Sequence, residues 1–495
     1  MNRNSEKTIY FIQAFQGFHT YFADLAIKLK NENNCKIGCI TFGADAFEKA
    51  KPISEEYINI DSYEEKYNFF RKNIQNKKYI SKRINEIENK YGPLWIIAHS
   101  DRQYVNYHHS EIYGDYSLKK KEIISLIIHW FDYFEEIFIK NQYTHVISYA
   151  TGGVPALVAA KVIKKLDGHY IGLTNVGIPD RFSLTVGYNH DKLAININPQ
   201  EKHLKWSRDY FAKYQKGNHI PSWINKNIQK SAKKNTYYKI INFFKQPQRE
   251  KKLFKFINFS DPGYLTNSTH IRIKIIFSKI FLKLNLKIFN QNLFQKKITK
   301  NKYIFYPIPV EPESGRLIRA PYLINQIAFI ENLSKAIPAD YSLLVKDHPN
   351  MDNKRKLDFY KKIISIPNVI LIKSNIKISS ILKNASAVVV INGTTGIEAL
   401  LNKKPVMIFS DTLYDKVPGI VRFKGDFNNL NNQLKELIKL DPPNNQDLIK
   451  HIAKLKASSV DLTAEIFFKT FPSNEIVNKL YDLILMLDND YKIIN

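Results

Sequence analysis

One stretch constrains the fold of this chain more than any other: residues 387–410, AVVVINGTTGIEALLNKKPVMIFS. Val388, Val389, Val390 and Ile391 form a short run of β-branched residues, the pattern of a strand buried on both faces. Asn392-Gly393-Thr394-Thr395-Gly396 breaks the run. From Ile397 the spacing turns helical through Glu398, Ala399, Leu400 and Leu401, and Lys403-Lys404-Pro405 ends it. Val406 to Phe409 reads as the next strand. Strand, helix, strand over so short a distance implies a parallel pair with a crossover helix. The Gly/Thr turn between strand and helix is an expected anion site: helical amides there lack partners, and glycine lets a phosphate approach the backbone. The competing reading is an ordinary connection with a threonine cap.

The same alternation runs through the rest of the chain. In the first half, strands are expected at Thr8–Phe15, Cys35–Phe42, Leu94–Ala98, His145–Tyr149 and His169–Leu173. Helices are expected at Tyr21–Leu29, Lys121–Ile139 and Ala156–Lys165, and an ordered loop over 175–200. In the second half, Tyr303–Pro307, Tyr341–Val345 and Val369–Ile372 read as strands. Pro321–Ala336, Leu357–Ile364 and Ile378–Lys383 read as helices, and the tail from Leu430 is helical. The expectation is an α/β protein of four parts: a Rossmann-like domain over 1–200, a basic and partly helical linker over 201–301, a second Rossmann-like domain over 302–430, and C-terminal helices over 431–495. Ligands of parallel sheets sit at the carboxyl ends of the strands. In the first domain that rim carries Gly17, His19, Gly152 and Gly153, which are candidates for the acceptor side; each also suits a plain turn or cap.

At 495 residues there is room for two or three cores, and 31 Phe and 29 Tyr argue against wholesale disorder. The formal charge is +28, unevenly spread: residues 201–300 hold 23 Lys+Arg against 4 Asp+Glu, a local excess of +19. Such a segment suits a polyanion or an anionic membrane surface. Lys279, Lys283 and Lys287 recur every four residues within IRIKIIFSKIFLKLNLKIF, the pattern of a basic amphipathic helix. It fits peripheral contact with an anionic inner membrane and equally a linker helix with a lysine edge. No nucleic-acid-binding motif accompanies the charge. Cys35 and Cys39 have neither zinc nor redox spacing and read as buried thiols of a reducing compartment. The N-terminus lacks a signal-peptide pattern and no long apolar span occurs, so the expected location is cytoplasmic, on the inner face of the membrane if the basic helix docks there.

Three pieces of the second domain converge at strand ends. They are Pro309-Val310-Glu311-Pro312-Glu313-Ser314, then Lys346-Asp347-His348-Pro349, then Asn392-Gly393-Thr394-Thr395-Gly396-Ile397-Glu398. Together they offer a carboxylate, cationic donors and a phosphate-binding turn, the set that transfer from a nucleotide-activated sugar requires. Charge accumulates on the departing phosphate, and Lys346, His348 and the Thr394/Thr395 turn can meet it without a metal. Glu398 can take ribose hydroxyls. Glu313, with Glu311 in reserve, is the candidate base or nucleophile. Taken singly, each residue reads more simply as a surface charge or a helix-entry group. Asp488-Asn489-Asp490 has metal-motif spacing but lies in the tail, and no metal ligands are assigned.

The collinear runs PIPVEPESGRLIRAPYLINQIAFIENL, LLVKDHP, PNVILI and VVVINGTTGIEALLNKKPVMIF resemble the bacterial capsule polysaccharide synthesis family. QGFHTYFADLAIKL is weakly similar to its opening motif. That family includes β-Kdo transferases of GT-B architecture, two Rossmann-like domains facing a cleft, which use CMP-activated sugar acids. The resemblance implies that His348-Pro349 and Thr394-Thr395 contact the nucleotide phosphate and Glu398 the ribose. It implies a glycosyltransferase of capsule or lipopolysaccharide biosynthesis, with a CMP-linked donor such as Kdo, a glycan or lipid-linked glycan acceptor and no further cofactor. The family's Asp, within a Gln-containing motif, is replaced here by Glu313 within Val-Glu-Pro-Glu-Ser. Two other functions fit the same residues: a CDP-polyol phosphotransferase of teichoic-acid type with His348 as base, and a non-catalytic assembly or export protein that has kept a nucleotide-binding fold.

Overall fold

A computed structural model describes residues 7–13, 19–41, 45–59, 77–101, 104–105, 120–149, 151–178, 180–215, 284, 293–295, 301–311, 313–351, 355–462 and 474–493. Gly17 and the lysines Lys279, Lys283 and Lys287 lie outside these residues.

The first unit is built on β1 (Thr8–Gln13), β2 (Lys36–Thr41), β3 (Ser54–Asn59), β4 (His145–Tyr149) and β5 (His169–Asn175), all parallel, in the order β3-β2-β1-β4-β5. β6 (Arg181–Val186) adds antiparallel to β5, and β7 (Lys192–Leu193) pairs with β6. The second unit repeats the plan. β8 (Tyr303–Pro307), β9 (Ser342–Lys346), β10 (Val369–Ile372), β11 (Ala387–Val390), β12 (Val406–Ile408) and β13 (Ile420–Arg422) form a parallel sheet in the order β10-β9-β8-β11-β12-β13.

Each central strand is apolar on both sides because helices cover both faces. Along β1, Ile9 and Phe11 face one core while Tyr10 and Ile12 face the other. Along β11, Val388 and Val390 turn one way, Ala387 and Val389 the other. The helices supply the outer layers. α1 (His19–Asn33) lays Phe22, Leu25 and Leu29 on one face of the first sheet. α2 (Lys77–Tyr91), α3 (Leu94–His99), α4 (Lys120–Lys140) and α5 (Gly153–Lys165) cover the other. α6 (Glu201–Gln215) follows. In the second unit come α7 (Ser314–Arg319), α8 (Gln326–Ala336), α9 (Leu357–Ile364), α10 (Ile378–Asn384), α11 (Thr395–Leu401), α12 (Leu430–Lys439), α13 (Asn445–Ala457) and α14 (Asn474–Leu485).

Several expected elements differ. Pro321–Ala336 is not one helix: a tight turn at Pro321–Leu323 precedes α8, which begins at Gln326 where the Asn325 side chain accepts the Ala328 amide. The tail is not helical throughout, because Val460–Asp461 is a strand. Leu94–Ala98 is helical, not a strand: Leu94, Ile97 and Ala98, spaced three and four apart, are the buried positions, and a short apolar run does not distinguish the two periods. The region 175–200 carries β6 and β7 instead of an unbroken loop. β6 is buried along Arg181–Thr185 because it is itself covered by β14 (Val460–Asp461).

Sequence distance does not separate the two units. Val176 and Ile178, beyond β5, sit in the core of the second sheet with Tyr210 and Phe211 of α6. Conversely β14 pairs antiparallel with β6, and α14 places Leu480, Leu483 and Ile484 against α1 and the first sheet. Leu483 is fully buried there. Leu483→Ala should lower stability by about 2–5 kcal/mol in denaturant unfolding; a loss under 1 kcal/mol would mean that the tail does not clamp the first unit.

Candidate active site

In the order β10-β9-β8-β11-β12-β13 the strand order reverses between the parallel neighbours β8 and β11, and their connections leave on opposite faces. The carboxyl ends of these two strands therefore border a crevice. The three expected pieces follow β8, β9 and β11. The Ile308 amide donates to the Lys346 carbonyl at 2.8 Å, which joins the loops after β8 and β9, and Ser410 Oγ, beyond β12, donates to the Arg319 carbonyl at 2.8 Å.

Glu311 and Glu313, two residues apart, have opposite environments. Glu311 is 10% exposed and ion-paired to Arg355 and, at 3.6 Å, to Arg316. Arg355 also donates to both oxygens of Asp347 and to the Pro309 carbonyl. Burial pushes the Asp347 carboxyl above its ordinary value, against the pull of Arg355 and the hydroxyl of Tyr360. Burial opposes the Arg355 charge, yet Glu311 and Asp347 raise its pKa overall. Glu311 thus anchors the loop, and its carboxylate is committed within the fold. Glu313 precedes α7, is 57% exposed, and among the described residues forms its ion pair with the Arg316 guanidinium at 3.7 Å. Of the two, Glu313 is the carboxylate presented to solvent.

Lys346 ends β9 and is buried, and its charge acts on Glu398. His348 follows Asp347, whose Oδ1 accepts the His348 amide at 2.8 Å. The Asn350 amide donates to His348 Nδ1 at 3.1 Å. A neutral imidazole whose Nδ1 accepts carries its proton on Nε2. Pro349 opens a short turn through Met351, whose sulfur receives the Glu311 amide at 3.4 Å.

The Asn392–Gly396 turn has a closed and an open side. Tyr414 lies behind it: its hydroxyl donates to the Gly393 carbonyl, and a Cβ on Gly396 would sit 2.4 Å from that oxygen. Above, nothing lies within 4 Å of a Cβ built on Gly393, and Thr394 is exposed. The helix that follows is only seven residues long, so whatever the turn binds depends on its own amides and hydroxyls more than on a macrodipole. Glu398 is half-buried, and Tyr214 of α6 donates to its Oε2 at 3.1 Å. Burial raises the Glu398 carboxyl to about 7; the Tyr214 hydroxyl and Lys346 offset only part of this. A Cβ built on Gly177 of the first unit, at φ +81°, would come 3.7 Å from the Ile397 side chain.

In the first unit, His19 opens α1. Gly153 is at φ +77°, and a Cβ there would meet Asp101 Oδ2 at 2.5 Å. That carboxylate accepts the Val154 amide, so the start of α5 is satisfied internally, while the space beside Gly152 is open. The sequence reading missed His190. It is buried in the β6–β7 turn, with Nε2 2.8 Å from Thr151 Oγ1 and Nδ1 2.9 Å from Thr185 Oγ1. Burial holds its pKa down to about 3. Gly172 must be glycine, because a Cβ would lie 2.1 Å from the imidazole. Asp488 accepts the Asn196 amide at 2.7 Å, a structural role for the tail's acidic pair.

Two doubly wound parallel sheets, joined by an α6 crossing and a returning tail, define a protein of GT-B-like α/β architecture. Residues 212–438 match the family model described as "Capsule polysaccharide biosynthesis protein", so the resemblance in the sequence is to this family and extends over that segment. The chain is 32% identical over 99 residues to the capsule polysaccharide export protein KpsS of Escherichia coli, covering 19% of this chain and 24% of that protein. The match thus spans about a quarter of the length of that curated relative. Among solved structures, KpsC of Thermosulfurimonas dismutans, a beta Kdo 2,7 transferase, aligns with 74% of this chain and 97% of its own at 12% identity and TM-score 0.32. A glycosyltransferase from Rickettsia africae aligns with 98% and 100%, at 13% identity and TM-score 0.25. At such scores the architecture rests on the strand order of this chain, not on these neighbours.

Two substitutions test the site's physics. Glu311→Gln should cost about 1.5–3 kcal/mol of stability, since it takes one of two carboxylates from the buried Arg355 and leaves Asp347 as its counter-charge; Glu313→Gln should stay within about 0.5 kcal/mol of wild type. Equal losses would contradict the division of roles. Glu398 is raised in the folded state from 4.5 to about 7, so between those values the native protein holds the extra proton and its stability falls as pH rises. The melting temperature of Glu398→Gln relative to wild type should accordingly climb from pH 4.5 to 7 and then level off; a flat difference would refute the shift.

Proposed function

We propose that the chain is a glycosyltransferase of surface-polysaccharide biosynthesis that takes a sugar from a nucleotide-activated donor, a CMP-linked ulosonic acid such as Kdo, to a glycan or lipid-linked glycan. The observation that supports the reading is that an exposed carboxylate, a buried lysine, a histidine and an open Gly/Thr turn all follow the carboxyl ends of β8, β9 and β11, within the segment that matches the capsule family. Lys346, the Nε2–H of His348 and the Thr394/Thr395 turn bind the phosphate and stabilise its charge as the nucleotide departs. Glu398 accepts from the ribose hydroxyls in place of the Tyr214 hydroxyl. Glu313 acts at the anomeric carbon. As nucleophile, it forms a C–O bond while the bond to phosphate breaks and the nucleotide leaves with the electron pair; the acceptor hydroxyl then displaces it, with net retention. As base, it takes the proton of an acceptor hydroxyl that attacks directly, with inversion. The anomeric configuration of the product separates the two.

The tautomer of His348 speaks against its being the base of a polyol-phosphate transfer, because Nδ1 is already engaged by the Asn350 amide and Nε2 bears a proton. The basic segment before residue 301 supports docking at an anionic membrane; no described helix is long and apolar enough to cross one.

Glu313→Gln should abolish transfer while leaving nucleotide affinity within about twofold, a loss confined to kcat as expected for a group that acts on the reacting atoms. Wild-type turnover in that variant would remove Glu313 from the mechanism. Thermal-shift screening of CMP-sugars against CDP-polyols tests the donor class; stabilisation by CDP-polyols alone would favour phosphotransfer.

A further inference from the structure

Arg319 has no part in the scheme above, and it stands where the two units meet. It closes α7, six residues beyond Glu313, and its carbonyl is held by Ser410 Oγ. Its guanidinium lies within electrostatic reach of Glu313 and Asp411 in its own unit and of Asp191 in the first, and it disfavours charge on His190. Among the described residues none of these carboxylates pairs with it, and its Nε is buried without a hydrogen-bond partner. Burial lowers its pKa in spite of the three acidic neighbours.

The first-unit side of this arrangement is rigid. His190 adopts φ +53°, which a non-glycine residue rarely holds unless its surroundings impose it. Thr151 and Thr185 grip its ring on either side, and Gly172 leaves the ring its space. The next residue, Asp191, is thereby carried to the Arg319 side.

A guanidinium presents a planar fork of donors that matches a carboxylate in two parallel bonds, and a buried donor left unpaired is costly. The missing partner is therefore an anion supplied by a ligand. Two donor groups have that chemistry, a sugar carboxylate and the nucleotide phosphate. Asp191 and Glu313 would oppose the more highly charged phosphate more strongly, whereas Asp411 is already paired with Arg422 at 2.6 Å. The position decides further. In a 2-ulosonic acid the carboxylate is attached to the anomeric carbon itself, so a group near Glu313 is where that carboxylate falls. We propose that Arg319 receives the carboxylate on the anomeric carbon of an acidic donor sugar and so selects ulosonic acids over neutral sugars. The proposal rests on the nucleotide-sugar reading of the site.

Calorimetry on the full chain tests it, with CMP alone, CMP-linked eight- and nine-carbon ulosonic acids, and UDP-glucose as a neutral-sugar control. Wild type should bind at least one of the ulosonic acid donors tenfold or more tightly than CMP. Arg319→Gln should lose that increment while binding CMP within about twofold of wild type, and Arg319→Lys, which keeps the charge but not the fork, should retain only part of it. If Arg319→Gln does not fold, the lysine variant decides: an undiminished increment overturns the proposal. It is likewise overturned if the glutamine variant keeps the increment, if it weakens CMP as much as the donor (Arg319 then holds phosphate), or if wild type binds the acidic donors no better than CMP. Those three results leave a nucleotide site standing, whereas wild type that binds no nucleotide at all removes the underlying reading as well.

Discussion

The reversal of strand order between β8 and β11 governs the second unit. Parallel strands cannot be joined by a tight turn, so each connection must cross a face of the sheet. When successive crossings change face, the loops at the two central carboxyl ends part and leave backbone amides and short side chains accessible. Everything assigned to chemistry here hangs from those loops: Glu313 after β8, Lys346 and His348 after β9, the Gly/Thr turn after β11. The framework beneath them is apolar on both faces and buries its aromatic residues completely, so the loops are carried on a rigid sheet.

Rigidity also comes from ionic contacts that are spent on structure. Arg355 holds Asp347, Glu311 and the Pro309 carbonyl at once, fixing the β8 and β9 loops together. A buried guanidinium shared by two carboxylates contributes little net stability over an apolar replacement, but it allows few alternative geometries. Its effect is to leave Glu313 the acidic side chain of the Val-Glu-Pro-Glu-Ser run that faces outward. Glu398 is tuned differently. Burial disfavours its charge, and the Tyr214 bond and Lys346 do not fully compensate, so the site holds a carboxyl that titrates near neutrality and that a ligand's hydroxyls would help to ionise.

The second sheet was nearly all legible in the sequence. Tyr303–Pro307, Leu357–Ile364 and Val369–Ile372 match the structure at both ends, because buried parallel strands are uninterrupted apolar runs and their helices end at clear breaks. The convergence of the three loops was legible too, since strand alternation places them at one rim. Their separate duties were not: nothing in the spacing of Glu311 and Glu313 says which one meets Arg355, forty-four residues away. The same limit hid the Thr151–His190–Thr185 contact and the pairing of β14 with β6, which join positions far apart in sequence. Leu94–Ala98 failed for another reason: five apolar residues satisfy either period, and only the three helices they pack beside decide between them.

The connections between the units bear on how such a protein would work. α6 leaves the first unit, crosses to the second, and donates from Tyr214 to Glu398 in the middle of α11 and from Gln215 to the Leu401 carbonyl at its end. It is itself the first part of the basic segment, residues 201–300. The tail makes the reverse crossing through β14 and α14. Each unit is therefore completed by chain from the other, and the helix that begins at the Gly/Thr turn is gripped by the opening helix of the basic segment. A ligand that took the Glu398 carboxylate from Tyr214 would loosen one of those two bonds. By reciprocity, any partner that restrained α6 through the basic segment would alter the affinity for that ligand by the same factor. Any such linkage would act through the two hydrogen bonds that Tyr214 and Gln215 make to a seven-residue helix.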